Sequence, residues 1–243
     1  MTTTGVDAPL FDFEAAERHA SHVAQHGTVG DRLKLALRAG YRLLSDPNDT
    51  HQVFLLGLVV NRPAVPTFLT RFVSDERGWR LMQENRTIDR ANVDYDALRR
   101  LPADTLGGAY ARFLDQNGLS PDMFQPPPGL PYPLTYLAKR MRQTHDLWHV
   151  VTGYSTDVHG EIALLSFYHG QTGMPLTRLI AIFGCLKFGR HRPSIFAEAW
   201  RGYRRGQRAA FLPPTPWEEL WERPLRDVRE MLGLDFAPAQ LAA

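Results

Sequence analysis

The stretch PLTYLAKRMRQTHDLWHVVTGYSTDVHGE, residues 133–161, decides the fold. Pro133 suits the first position of a helix, because the N–H it lacks is one that a helix start leaves unbonded anyway. Leu134, Leu137, Met141 and Trp148 follow at helical spacing, so the pattern predicts one helix from Pro133 to a stop at Gly153. Ser155, Thr156 and Asp157 carry the short oxygen side chains that accept hydrogen bonds from a helix start, and they predict a second helix from about residue 157 to 172. A turn this short makes the two helices antiparallel neighbours.

Working outward, the rest of the chain also reads as helices. DRLKLALRAGYRLLSD opens on Asp31 as a cap and places Leu33, Leu37, Tyr41 and Leu44 on one apolar stripe, with a turn expected at Asp46–Asp49. THQVFLLGLVVNR reads as a buried helix, although its apolar run alone also fits a strand. Pro63 and Pro66 interrupt the next segment, and Ser74 is the expected cap of SDERGWRLMQEN. ADTLGGAYARFLDQNG has Asp104 or Thr105 as cap and Gly118 as stop. LSPDMFQPPPGLPYP holds six prolines, which enforce an extended strap. QTGMPLTRLIAIFGCLKFG offers one wall of an apolar channel, a central core helix, or a helix lying in a bilayer surface. Trp217, Trp221, Leu225, Val228 and Leu232 predict a terminal amphipathic helix for docking or dimer contact. The expected class is all-α: a single-domain multi-helix bundle over residues 29–243, with the Pro-rich strap, an internal apolar lipid-binding cleft, and a loosely held arm over residues 1–28.

Composition narrows the function. The chain has 243 residues, 44% of them hydrophobic, and a net charge of +2, too little for a dedicated nucleic-acid binder. Its one cysteine, Cys185, forms no internal disulfide and fits a reducing compartment. The acids Asp7, Asp12, Glu14 and Glu17 near the start are unlike an organelle-targeting segment, so a cytoplasmic location is expected, with contact at the inner face of the membrane.

The helix pair gathers the chemistry. His145 and His149 lie one turn apart and about 40° apart around the helix axis. Asp146 projects beside them, and Glu161 falls in the first turn of the second helix, where it can return to the level of His149. Two imidazoles with one or two carboxylates form a nitrogen–oxygen donor set for zinc, iron or manganese, with a position left open for water or substrate. Against the HExxH pattern of zinc hydrolases, Asp146 is one methylene shorter than the glutamate base and better placed as a ligand or as an orienter of His145. The plainer reading is a pair of surface or core histidines. Tyr168 and His169, two turns beyond Glu161, could assist protons or simply pack. From Arg178 to Arg208 eight Lys and Arg residues occur against one acid, Glu198, which suits anionic headgroups, a substrate carboxylate, or a solvated face. A phosphohydrolase of the His-Asp doublet type would need partners for which only His51 and Asp227 are available.

HDLWHVVTGYSTDVHGE matches the His-Asp-x-x-His, eleven residues, Glu signature, and the chain resembles the Coq-four family of coenzyme Q (ubiquinone) biosynthesis proteins. LPADTLGGAYARFLDQNGLSPD, GEIALLSFYHGQTGMP and WEELWERPLRDVREMLGL resemble family segments in the same order, from roughly residue 30 to 234. The resemblance implies an all-helical protein with His145, Asp146, His149 and Glu161 as metal ligands and catalytic residues, and a divalent metal, usually Zn2+, with Fe2+ or Mn2+ as alternatives. It further implies oxidative decarboxylation of a prenylated benzoate-type ring, a lyase-like step combined with hydroxylation, or a non-catalytic prenyl-lipid-binding scaffold. The partners it implies are a prenylated aromatic molecule or isoprenoid lipid and other quinone-biosynthesis enzymes. A homodimer and a peripheral membrane contact are also expected, and no nucleic acid. Met123-Phe124 and Cys185 depart from the family pattern and leave the ring substrate open.

Overall fold

The computed structural model describes residues 13–45, 50–122 and 129–234. Among them every regular element is helical, as expected, and no strand forms; a single isolated bridge joins Thr105 and Pro224. The turn expected at Asp46–Asp49 and the centre of the strap, residues 123–128, lie outside the described residues. The chain divides into two compact units, residues 1–62 with 127–131, and residues 63–126 with 132–243.

The first unit holds α1 (Phe13–His26), α2 (Val29–Ser45) and α3 (Thr50–Val60), so the span read as an arm contains a helix. Thr28, not Asp31, caps α2. The Thr28 hydroxyl accepts from the Asp31 N–H at 3.2 Å while the Asp31 carboxylate accepts from the Thr28 N–H at 3.1 Å, a reciprocal capping box. The predicted stripe of α2 faces the wrong way: Leu33, Leu37 and Tyr41 are exposed. This helix has two apolar faces, and the one with the small Ala39 beside Leu35 packs with Leu55, Leu56 and Leu58 of α3.

The second unit contains α4 (Val65–Ser74), α5 (Glu76–Gln83), α6 (Tyr95–Arg100), α7 (Leu106–Asn117), α8 (Tyr132–Gln143), α9 (His145–Thr152), α10 (Val158–Thr172), α11 (Pro175–Phe188), α12 (Ser194–Arg208), a short 3-10 turn at Trp217–Glu219, and α13 (Leu225–Met231). Pro66 sits in the first turn of α4 rather than interrupting it. Ser74 ends α4, and the cap of α5 is Asp75, whose carboxylate accepts from the Arg77 N–H. Thr105 caps α7 and Gly118 ends it in the left-handed conformation, as the sequence predicted.

The terminal segment is not one amphipathic helix. Pro224 precedes α13 and stops any helix from running through it. Trp217, Val228 and Leu232 are almost fully buried in the core of this unit, which removes them as a dimer surface. The neighbouring Glu218 receives two hydrogen bonds from Arg140, a wholly buried guanidinium that also donates to the Thr215 carbonyl at 2.9 Å. This buried pair ties the terminal segment to α8.

Helices α10 and α12 approach along a line of small residues. A Cβ added at Gly202 would lie 2.4 Å from the Ala163 carbonyl oxygen, and one at Gly206 would lie 2.2 Å from that of Phe167. Helix α11 packs its Ala181 and Cys185 against Ile162 of α10 and Ile195 of α12. Its other face, Leu179, Ile182, Phe183 and Leu186, is exposed, so α11 is not a central core helix. The internal apolar cleft expected behind it is not shown.

Candidate metal centre

The predicted long helix breaks at Thr144 into α8 and α9. The Thr144 hydroxyl donates back to the Arg140 carbonyl at 2.9 Å, a contact that bends helices by competing with the backbone ladder. His145 therefore opens α9 and His149 lies one turn on, with ring centroids 4.9 Å apart. Gly153 ends α9 at φ 75°, where a side chain would be strained. The Asp157 carboxylate then accepts from the His159 and Gly160 N–H groups at 2.8 and 2.9 Å and starts α10. Glu161, in the first turn of α10, faces the histidines as the spacing predicted.

Glu161 Oε1 lies 3.2 Å from His149 Nε2, and Oε2 lies 3.9 Å from His145 Nε2. One donor atom from each of His145, His149 and Glu161 falls within 4.8 Å of the others. Donors around a tetrahedral ion at about 2.1 Å stand about 3.4 Å apart, so small side-chain rotations bring these three onto one cation. Asp146 is not part of this trio. It lies one residue beyond His145 and about 100° further round the helix, which sets its Oδ1 3.3 Å from the His145 Nδ1, on the far edge of the ring from Glu161. That contact suits the orienting role, one of the two its short side chain suggested.

His149 is held from three sides. Its Nδ1–H donates to the Tyr154 carbonyl at 3.0 Å, which leaves the Nε2 lone pair toward Glu161. Phe113 of α7 stacks on the ring at 5.5 Å. The side chain is 1% exposed against 37% for Glu161, so the site is closed at the imidazole and open at the carboxylate. The end of α9 is fixed by arginines. Arg229 donates to the Val150 and Val151 carbonyls at 2.8 and 3.1 Å, and Arg205 donates to that of Thr152 at 2.9 Å, satisfying groups that a helix end leaves open. Beside His149 a cleft of about 390 Å³ opens between α7 and the α9–α10 turn, with Phe113, Asn117, Tyr154 and Ser155 in its walls.

The sequence gives no sign of the Tyr154 carbonyl, of Phe113 or of the two arginines, because a backbone acceptor and a cross-helix stack leave no local pattern. Tyr168 and His169 are packing residues. Tyr168 lies against Trp148 at 4.8 Å, while His169 bonds the Met174 carbonyl at 3.0 Å and stacks on Tyr203. Asp227 lies in the first turn of α13 beside Arg226, outside the donor group, and the side chain of His51 lies outside the described residues.

Burial works to lower the His149 pKa, but the hydrogen bond and charge of Glu161 prevail and raise it above the ordinary 6.5. In the metal-free protein this proton stabilises the fold below the unfolded pKa, and the contribution fades as pH rises through the folded one. A metal needs the neutral ring, so its affinity should rise with pH through the same range. Zinc titrations at about pH 6 and about pH 8 are expected to differ by at least tenfold in Kd, with the tighter binding at the higher pH. Equal affinities at both would remove His149 from the ligand set.

Comparison with known proteins places these features in context. The family model described as coenzyme Q (ubiquinone) biosynthesis protein Coq4 matches residues 21–238. A ubiquinone biosynthesis protein COQ4 homolog, mitochondrial, from Drosophila ananassae is 32% identical over 206 residues, covering 84% of this chain and 77% of the relative. The Bos taurus protein of the same name is 29% identical and covers 98% of this chain and 96% of its own. A crystal structure from Nostoc punctiforme, named for ubiquinone biosynthesis, superposes with a TM-score of 0.67 at 26% identity, covering 84% of this chain and 98% of that one. The expected cytoplasmic location is corrected by the COQ4 homologues, whose names place them in the mitochondrion. The single cysteine reports a reducing compartment without saying which one.

Proposed function

The chain belongs to the coenzyme Q (ubiquinone) biosynthesis protein Coq4 family, and from that premise we propose that it carries out a metal-dependent oxidative decarboxylation of a prenylated benzoate-type ring. The observation that carries the proposal is the convergence of His145, His149 and Glu161 from two helices, with donor atoms within 4.8 Å, beside an open cleft. Two imidazoles and a carboxylate without thiolate are the donor set of a working site rather than of a structural knot.

When bound there, a zinc, iron or manganese ion supplies Lewis acidity toward a ring carboxylate or phenolate oxygen. The protein's own groups do the rest. The Tyr154 carbonyl holds His149 in the tautomer with a free Nε2, and Asp146 does the same for His145 from its Nδ1 edge. Phe113 gives an aromatic ring a face to stack on, and the cleft is large enough for a ring but leaves a long isoprenoid tail outside it. Of the three donors, His149 lines the cleft, and Glu161 is the most exposed to solvent. In the net change the ring carboxylic acid, dioxygen and water become the ring phenol, carbon dioxide and hydrogen peroxide, a two-electron oxidation of the ring with dioxygen as oxidant.

The test is to incubate metal-loaded protein with a short-tailed prenyl hydroxybenzoate in air and to follow carbon dioxide release and the hydroxylated product by mass spectrometry. Product formation at the expense of the carboxylate supports the reading. Tight binding of the compound without any product would leave a lipid-binding scaffold for other quinone-biosynthesis enzymes, and the decarboxylation would be withdrawn.

A further inference from the structure

The Tyr154 carbonyl that accepts from His149 follows Gly153, whose left-handed conformation ends α9. Glycine sets few limits on the chain around it, so the peptide after it needs a hold from elsewhere. Arg205 of α12 supplies that hold on both sides of Gly153. Its Nη1 donates to the Thr152 carbonyl at 2.9 Å, just before the glycine. Its guanidinium carbon stands 5.3 Å from the centre of the Tyr154 ring, just after the glycine. The planar guanidinium can lie over a ring while its edge donates to a carbonyl, two tasks that a lysine ammonium does not combine. The Tyr154 ring also meets the fully buried Phe167 of α10 at 6.5 Å in a T-shaped pair. Arg205 is itself fixed, by a bond from Nη2 to the Leu234 carbonyl at 3.4 Å and by the close approach of its neighbour Gly206 to α10. Arg229 also bonds the end of α9, but at the Val150 and Val151 carbonyls, on the helix side of Gly153.

We infer that Arg205 is a positioning residue for the metal centre: by holding the Thr152 carbonyl and the Tyr154 ring together, it sets the Tyr154 carbonyl against His149 Nδ1 and so leaves Nε2 free for the ion. The inference rests on the metal reading of His145, His149 and Glu161, and not on the decarboxylation. The reason lies in a competition for one proton. His149 Nε2 stands 3.2 Å from the Glu161 carboxylate, a stronger acceptor than a carbonyl. Without an acceptor at Nδ1, the neutral ring keeps its proton on Nε2, and the nitrogen a cation needs is occupied. With the Tyr154 carbonyl held at 3.0 Å, the proton has a partner on Nδ1 and Nε2 can be bare. Arg205 touches none of the three donors in this arrangement. It acts through the turn that carries the carbonyl.

The test is zinc titration of the full chain carrying R205M, Y154A or both. Beside it, exchange of the His149 Nδ1–H with solvent is followed by NMR in the metal-free protein at about pH 5, where both ring nitrogens carry protons. R205M is expected to bind zinc roughly ten- to hundredfold more weakly, the usual cost of losing a group that orients a ligand, and to exchange that proton faster. Y154A should do the same by removing the ring. The double variant should be no weaker than the weaker single, because both act through one turn. R229M is the comparison: its thermal midpoint should fall while zinc affinity and Nδ1–H protection stay native. Native affinity and protection in R205M would overturn the inference. So would losses that multiply in the double variant, or a defect in R229M equal to that in R205M. Should R205M fail to fold, Y154A decides in its place, and native affinity there counts against Arg205 in the same way. A native protein that binds no zinc would end the metal reading, while the Nδ1–H exchange, measured without metal, would still decide whether Arg205 holds the carbonyl.

Discussion

His149→Ala is expected to leave the protein without a stoichiometric divalent ion and to lower turnover by roughly 10³-fold, about 4 kcal/mol of transition-state stabilisation. The size follows from the position. His149 supplies the best-held donor of the three, buried to 1% side-chain exposure, stacked on Phe113 and bonded to the Tyr154 carbonyl. With it gone, two donors from His145 and Glu161 remain, too few to hold an ion against water. Since His149→Ala also opens a hole beside Phe113, Glu161→Gln is the companion variant. Glu161 is 37% exposed, and glutamine keeps its shape while removing the charge, so the fold should persist while the metal is lost. Metal analysis of both purified variants, with circular dichroism as a folding control, checks the expectation. Stoichiometric metal and native turnover in both would mean that the ion sits elsewhere.

Gly206→Val should destabilise the protein by roughly 3 kcal/mol or more, a loss of about 6–12 °C in Tm for a chain of this size. Two effects compete. Valine is a better helix former than glycine by about half a kcal/mol. Against that, even its Cβ would stand 2.2 Å from the Phe167 carbonyl oxygen, and backbone cannot swing aside as a side-chain tip can. Steric overlap wins, and α10 must move off α12. Since α10 carries Glu161, the variant should also bind zinc more weakly, a link that a merely local defect would not show. The control is Gly40→Ala in α2, where an added Cβ meets nothing within 4 Å and the helix should be unchanged or up to about 1 kcal/mol more stable. If both glycines tolerate substitution equally, the close α10–α12 approach is not a constraint.

These two sites differ in how far the sequence announces them. The His145–His149 pair, the Gly153 stop, the Asp157 cap and the return of Glu161 all follow from spacing within about seventeen residues, where helix geometry fixes each direction. The Gly202–Gly206 approach joins segments forty residues apart, and in the sequence those glycines look like weak points in a helix rather than places of contact.

By itself, then, the sequence determined the all-α class, the bounds of α7 and α10, and the return of Glu161 to the His145–His149 pair, because periodicity, caps and one-turn offsets are local and are set by the chain's own hydrogen bonding. Only the tertiary structure decided which apolar face turns inward. The stripe of α2 and the outer side of α11 look as core-like as any buried helix, yet packing chose the small faces at Ala39 and at Ala181 with Cys185, where backbones can approach closely. It also decided that Asp146 lies against the Nδ1 edge of His145, that Trp217 and Val228 belong to the core, and that the Tyr154 carbonyl bonds His149. Each of these depends on what lies opposite in space, and a hydrophobic or hydrogen-bonding partner brought near by folding leaves no trace in the spacing of the residues it meets.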